Sequence, residues 1–191
     1  MVNRIIVGVT GASGGIYAVR LLALLKQIAE IETHLVMTDS AVRSLEIETQ
    51  LPLEELKAMA DINYDINDIA AAIASGSFNT AGMIIAPCSM KTLSGIANSY
   101  SDNLLTRAAD VTLKERRPLV LSVRETPLHL GHLRLMTTAC ELGAIIMPPL
   151  NAFYHKPNSI DALVDNTVRR MVQQLRLNID IPDYQQWLGP E

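Results

Sequence analysis

Four short stretches carry the residue types that could do chemistry: Thr10-Gly11-Ala12-Ser13-Gly14-Gly15, Thr38-Asp39-Ser40, Ser89-Met90-Lys91-Thr92 and Arg124-Glu125-Thr126-Pro127. Each comes directly after an apolar run. Hydroxyls, small side chains and positive charge in such places make a phosphate cradle. Backbone N–H groups are free there, side chains donate, and a helix that starts there turns its positive end to the anion. The glycine-rich turn at 10–15, between a β-branched run and an amphipathic stretch, is the expected seat of that phosphate.

The spacing narrows the ligand. Glycines fall as G-x-x-G-G rather than the G-x-G-x-x-G of a dinucleotide fingerprint, with Ala12-Ser13 where a pyrophosphate would approach the backbone. Asp39 could still hold a ribose hydroxyl, which keeps an NAD-dependent oxidoreductase as a competing reading. A P-loop is absent, because Lys91-Thr92 lack a glycine-rich loop before them. A single phosphate, as in a flavin mononucleotide, needs fewer donors and suits these short loops better.

The elements that must position these residues follow from hydrophobic periodicity. RIIVGVT at 4–10 is a continuous β-branched run, as in a strand buried on both faces. Further strands are predicted at 33–38, 82–87, 118–123 and 143–148, and helices at 15–30, 40–48, 53–60, 91–98, 103–115, 128–142 and 159–175. This alternation predicts a single-domain α/β fold: a Rossmann-like or flavodoxin-like doubly wound, mostly parallel sheet with helices on both faces. In such sheets ligands bind beyond the carboxyl ends of the strands, where the four stretches lie.

Composition sets the class. With 191 residues, 49% of them hydrophobic, the chain can bury a sizeable core. A net charge of −4 argues against nucleic acid as a partner, and the basic run LKERRP at 113–118 is short and broken by Glu115. No apolar run reaches the roughly 20 residues of a membrane helix. Met1 to Arg4 leads straight into a strand pattern, so no export signal is expected. Cys88 and Cys140 make no disulfide framework and are expected as reduced thiols in apolar surroundings, in a cytoplasmic protein. His129 and His132 lack an acidic partner, so no metal site is expected. Tyr184 and Trp187 fall in a tail that either packs on a neighbouring subunit or frays.

Taken together, TGASG (10–14), ETQ (48–50), PCSMKTLSGIA (87–97), LLTRAADVTLKERRPLVLSVRETP (104–127), LGAIIMPPLNAFYHKP (142–157) and Val168-Arg169-Arg170 resemble the UbiX-like flavin prenyltransferase family. The resemblance runs in order along nearly the whole chain. It implies an FMN-binding prenyltransferase domain at 1–178, a C-terminal tail at 179–191, and a homododecamer. Enzymes of this family join a dimethylallyl group to reduced FMN, at N5 and C6, and the prenylated flavin serves a separate UbiD-type decarboxylase. By this resemblance Gly11, Ala12, Ser13, Thr38, Ser89, Met90, Lys91, Thr92 and Arg124 hold the flavin. Arg107, Lys114, Tyr154 and Arg170, with Glu125, form the pocket for the phosphate of dimethylallyl monophosphate, shared between subunits. Arginine suits that task because its planar fork meets phosphate oxygens bidentately.

Ser13, Glu48 and Glu125 are the catalytic candidates. Ser13 would stand beside the reacting flavin nitrogen, while the two carboxyls handle protons. The implied reaction needs no metal, because cations neutralise the departing phosphate and apolar and aromatic surfaces shelter the allyl group. Arg107, flanked by apolar and small residues, is expected to be too costly to bury without a partner. Glu125 could instead pair with Arg124. The alternative function is an FMN-dependent decarboxylase of an aromatic or cysteinyl acid, against which the set Arg107, Lys114 and Arg170 weighs. A non-catalytic FMN carrier would leave Glu48, Glu125 and Tyr154 unexplained.

Overall fold

The computed structural model describes residues 2–189. Six strands, β1 (Asn3–Val9), β2 (Ile31–Met37), β3 (Ile62–Tyr64), β4 (Gly82–Cys88), β5 (Leu119–Val123) and β6 (Ile145–Ile146), form one sheet in the order β3-β2-β1-β4-β5-β6. Every pairing is parallel, as between Ile6 and His34 or Ile6 and Met83. The five predicted strands alone have the flavodoxin order, 2-1-3-4-5 when renumbered; the unexpected β3 extends it to the Rossmann order. In both, the chain reverses direction across the sheet between β1 and β4, and a crevice opens beyond their carboxyl ends.

Helices α1 (Gly15–Leu25), α2 (Asp39–Glu48), α3 (Leu53–Lys57), α4 (Met90–Ala97), α5 (Leu104–Lys114), α6 (Leu130–Glu141) and α7 (Ile160–Gln173) cover both faces. Strand alternation sorts the core. Ile5, Val7, Val9, Ile84 and Val120 meet Leu21 and Leu22 of α1 and Val168 and Met171 of α7. Ile6, Met83, Ile85 and Leu121 point the other way, onto Leu93 of α4 and Leu105 of α5. The buried positions Ala18, Leu21, Leu22 and Leu25 recur at helical spacing and commit residues 15–25 to a helix. That helix ends five residues short of the predicted 30, since Gln27 and Ile28 donate to carbonyls three residues back in a tightened last turn. Asn103 and Thr106 form a capping box that starts α5, and Ser159 caps α7.

No helix among the described residues is long and apolar enough to cross a membrane. Cys88 is fully buried, and burial pushes its thiol up to about 12, so it is inert at neutral pH. Cys140 is exposed, on the outer side of α6, not in the apolar surroundings expected of it.

Candidate active site

Four strand ends are stitched together by their own backbones. Thr10, almost wholly buried after β1, donates its hydroxyl to Pro87 O (2.8 Å) and accepts from Ser89 N–H (2.8 Å). The N–H of Thr38 donates to Val9 O, and that of Arg124 to Cys88 O, both at 3.0 Å. The expected flavin residues of four separate loops are thereby fixed around one crevice. Thr10 itself was not among the site residues read from the sequence; its hydroxyl partners lie 77 and 79 positions away.

The open cradle lies at α4. Ser89 caps that helix, its Oγ accepting from Thr92 N–H, and Thr38 caps α2 in the same way through Ala41 N–H. Thr38, Ser89, Lys91 and Thr92 line one cavity of about 930 Å³, together with Ser40, Asn67 and Asn103. Hydroxyls, a lysine and a helix N-terminus suit a phosphate monoester, and the volume leaves room for the rest of a mononucleotide. Asn67 carried no sequence signal, because it follows the unexpected β3. Gly11 borders the same region: a Cβ there would lie 2.5 Å from Ser40 Cβ, so only glycine lets the β1–α1 turn pass.

The α1 N-terminus is not the open anion seat that the sequence suggested. Gly14, at φ +108°, turns the chain so that its N–H and that of Gly15 both donate to Glu48 Oε2, at 2.8 and 2.9 Å. A carboxylate of the same chain therefore fills the expected phosphate position. Partial burial pushes the Glu48 carboxyl up, but hydrogen bonds from Ser13, Gly14 and Gly15 and the Arg124 charge outweigh it. The net effect holds Glu48 below the ordinary carboxylate value. Ser13, Glu48 and Arg124 are thus one group. Ser13 and Glu48 are both exposed, and Ala12 is half-buried on the same turn. Glu125 does not pair with Arg124; its Oε1 accepts the N–H of Thr126 at 2.9 Å.

Apart from Glu125, the expected substrate-phosphate residues separate into two pairs. Tyr154 and Arg170 line a second cavity, of about 390 Å³, with Met147, Thr167, Tyr184 and Trp187. Arg107 and Lys114 stand elsewhere, on α5. Arg107 donates to Ala74 O (3.2 Å) and pairs with Asp110 (3.0 Å), and Lys114 pairs with Glu115 beside Gly76. Arg107 is 39% exposed, which removes the burial cost expected of it. Met90 opens α4 next to the phosphate cradle, half-buried. His129 and His132 lie with ring centroids 3.6 Å apart and their planes tilted by 33°, without a third ligand; no group of three metal-ligating side chains occurs among the described residues.

Comparison with known proteins matches this arrangement over its whole length. The Flavoprotein family model covers residues 2–172. The flavin prenyltransferase UbiX of Escherichia coli (strain K12) is 59% identical over 187 residues, spanning 98% of this chain and 99% of that protein. Its counterpart in Thauera aromatica is 56% identical over 188 residues, 98% of this chain and 95% of the relative. The crystal structure of AnUbiX in complex with FMN and dimethylallyl pyrophosphate superposes with a TM-score of 0.95 at 45% identity, covering 100% of both chains. A dodecameric FMN-dependent UbiX-like decarboxylase from Escherichia coli O157:H7 superposes at 0.93, also 45% identical, over 97% of this chain and 100% of its own. By sequence, by strand order and by the crevice at the sheet's reversal point, this chain belongs to the Flavoprotein family and, within it, to the UbiX flavin prenyltransferases.

Proposed function

We propose that this protein is a flavin prenyltransferase that joins the dimethylallyl group of dimethylallyl monophosphate to reduced FMN. The observation that carries the reading is the pairing of two different anion sites on one chain. One is the hydroxyl-lined cradle at α4, and the other is the Tyr154–Arg170 cavity with aromatic walls. A decarboxylase is not favoured, because a carboxylate substrate needs no second phosphate pocket. Prenylated FMN would leave for a UbiD-type decarboxylase.

Reduced FMN, when bound, would supply the nucleophilic N5 and C6; joining both to the allyl unit releases its phosphate and requires the allyl double bond to gain a proton and N5 and C6 each to lose one, and this proton traffic falls to the chain. The chain's own groups do the rest. Thr38, Ser89, Lys91 and Thr92 hold the flavin phosphate against the α4 dipole, with Gly11, Ala12 and Met90 along the ring. Arg124 adds positive charge beside Ser13. Glu48, kept ionised by Ser13 and two backbone N–H groups, takes a proton through the Ser13 hydroxyl. Glu125, exposed and without a cation, exchanges protons with the departing phosphate. Tyr154 and Arg170 bind that phosphate from one side, and Arg107 and Lys114 of another copy complete its charge neutralisation.

This division supports a homododecamer, as does the family relative described as dodecameric. We assign residues 1–178 to the prenyltransferase domain and 179–191 to the tail, of which residues 1, 190 and 191 lie outside the described residues. Two free cysteines favour a cytoplasmic setting. The test is anaerobic: incubate protein, reduced FMN and dimethylallyl monophosphate, then weigh the extracted flavin by mass spectrometry. A gain of one five-carbon unit is expected, and dimethylallyl pyrophosphate should react more slowly. Unmodified flavin would overturn the assignment.

A further inference from the structure

Arg170 lines its cavity with its guanidinium on the Tyr184 hydroxyl (3.4 Å) and on the Gln173 side chain, two uncharged partners that leave its charge for an anion. Its aim therefore depends on where α7 stands. Val164, Val168 and Met171 of α7 share a buried core with Leu21 and Leu22 of α1. Apolar burial of this kind is non-directional, so it joins the two helices without fixing how far one slides or turns on the other.

One contact between the helices is directional. Arg20 of α1 donates Nε to Asp165 Oδ1 (2.6 Å) and Nη2 to Asp165 Oδ2 (2.5 Å), a guanidinium fork on a carboxylate fork. The hydrogen bond to Asp165 raises the Arg20 guanidinium above its ordinary value, and the charge of Asp161, one turn earlier on α7, adds to it. With side chains 37% and 21% exposed, the pair contributes little to stability, yet two parallel bonds tolerate neither a slide nor a rotation. Asp165 precedes Arg170 by five residues on α7. Arg20 follows Gly15 by five on α1, and the Gly15 N–H holds Glu48. Arg169 also approaches Asp165, at 3.9 Å, but its Nε is committed to Pro182 O (2.8 Å), so the fork belongs to Arg20.

We propose that Arg20 and Asp165 are positioning residues: their forked bond fixes the register of α7 on α1, and with it the aim of Arg170 at the donor phosphate. The inference rests on the prenyltransferase reading above and adds the residues that set the donor site against the turn holding Glu48.

The test is a double-mutant cycle on the whole protein. Arg20→Met keeps the length of the side chain and removes the fork. FMN should still bind, because Thr38, Ser89, Lys91 and Thr92 are untouched. The KM for dimethylallyl monophosphate should rise about tenfold with a smaller fall in kcat, short of the 10²-fold that a 1 Å misplacement can cost. Asp165→Asn should match it, and Arg20→Lys, with the charge but no fork, should fall between it and the parent. In an Arg170→Ala background, Arg20→Met should change KM by less than about twofold, because the group it aims is gone.

A folded Arg20→Met with unchanged KM would overturn the inference. So would effects of Arg20→Met and Arg170→Ala that multiply in full, which is what a pair that merely holds the fold together would give. Should Arg20→Met fail to fold, Arg20→Lys enters the same cycle. If the unaltered protein prenylates no flavin, the functional reading falls instead, and calorimetry with inorganic phosphate decides the positioning separately. Phosphate binding that needs Arg170 should weaken in Arg20→Met, and unchanged binding would sink the idea.

Discussion

The carboxylate of Glu48 takes the place that a glycine-rich turn offers to an anion, and this fixes its protonation state. Because its folded value is lowered, its contribution to stability is present above the ordinary value of 4.5 and is lost as pH falls through the lower folded one. Urea midpoints should therefore drop below about pH 4.5 less steeply in Glu48→Gln than in the parent. The same variant should bind FMN, seen as flavin absorbance that co-elutes with protein, yet lose about 10²–10⁴-fold in prenylation rate, the usual scale of a lost proton acceptor. Thr10→Val should strand the Ser89 N–H and cost about 1–3 kcal/mol by urea unfolding, with weaker FMN binding. The strand-end loops were legible in the sequence because their signals are local: hydroxyls and small residues right after apolar runs. Glu48 as the partner of Gly14, and Thr10 as the tie to Pro87, were not, since periodicity carries no information about groups 34 and 77 residues apart. Arg107 misled for a related reason: apolar neighbours in sequence lie on other faces of the helix.

Among the elements, five strands and seven helices follow the hydrophobic pattern, and β3 does not. Ile62-Asn63-Tyr64 is three residues long, and its first two positions are exposed, so no alternation marks it. What holds it is a side-chain network. The Glu32 carboxylate can only accept, so it receives the His34 Nε2 proton (2.9 Å), and the Tyr64 hydroxyl then donates to His34 Nδ1 (2.9 Å). His34 is fully buried, which makes that phenol costly to remove. Tyr64→Phe should destabilise by about 1–3 kcal/mol and raise hydrogen exchange across β3, with FMN affinity falling because Asn67 lines the cavity proposed for the flavin just beyond it. A Tyr64→Phe protein as stable as the parent would remove the network as the reason for the strand.

At the scale of the whole molecule, the outer face of α6 and the turn before it leaves Leu128, Leu130 and Leu133 at 44%, 60% and 46% exposure. A contiguous apolar patch of this kind is the mark of a subunit contact. Leu130→Glu with Leu133→Glu should shift sedimentation from the proposed dodecamer to smaller species and abolish prenylation while leaving the circular dichroism of the fold. The proposed sharing of one phosphate site between Tyr154 and Arg170 of one copy and Arg107 and Lys114 of another has a genetic corollary. In such a shared site Lys114→Ala and Arg170→Ala should each disable every site of a uniform assembly. Co-expressed, they form mosaic particles in which some junctions join one subunit's intact Arg170 to another's intact Lys114. Two dead alleles should then rescue each other in one cell, with activity set by the statistics of mixing.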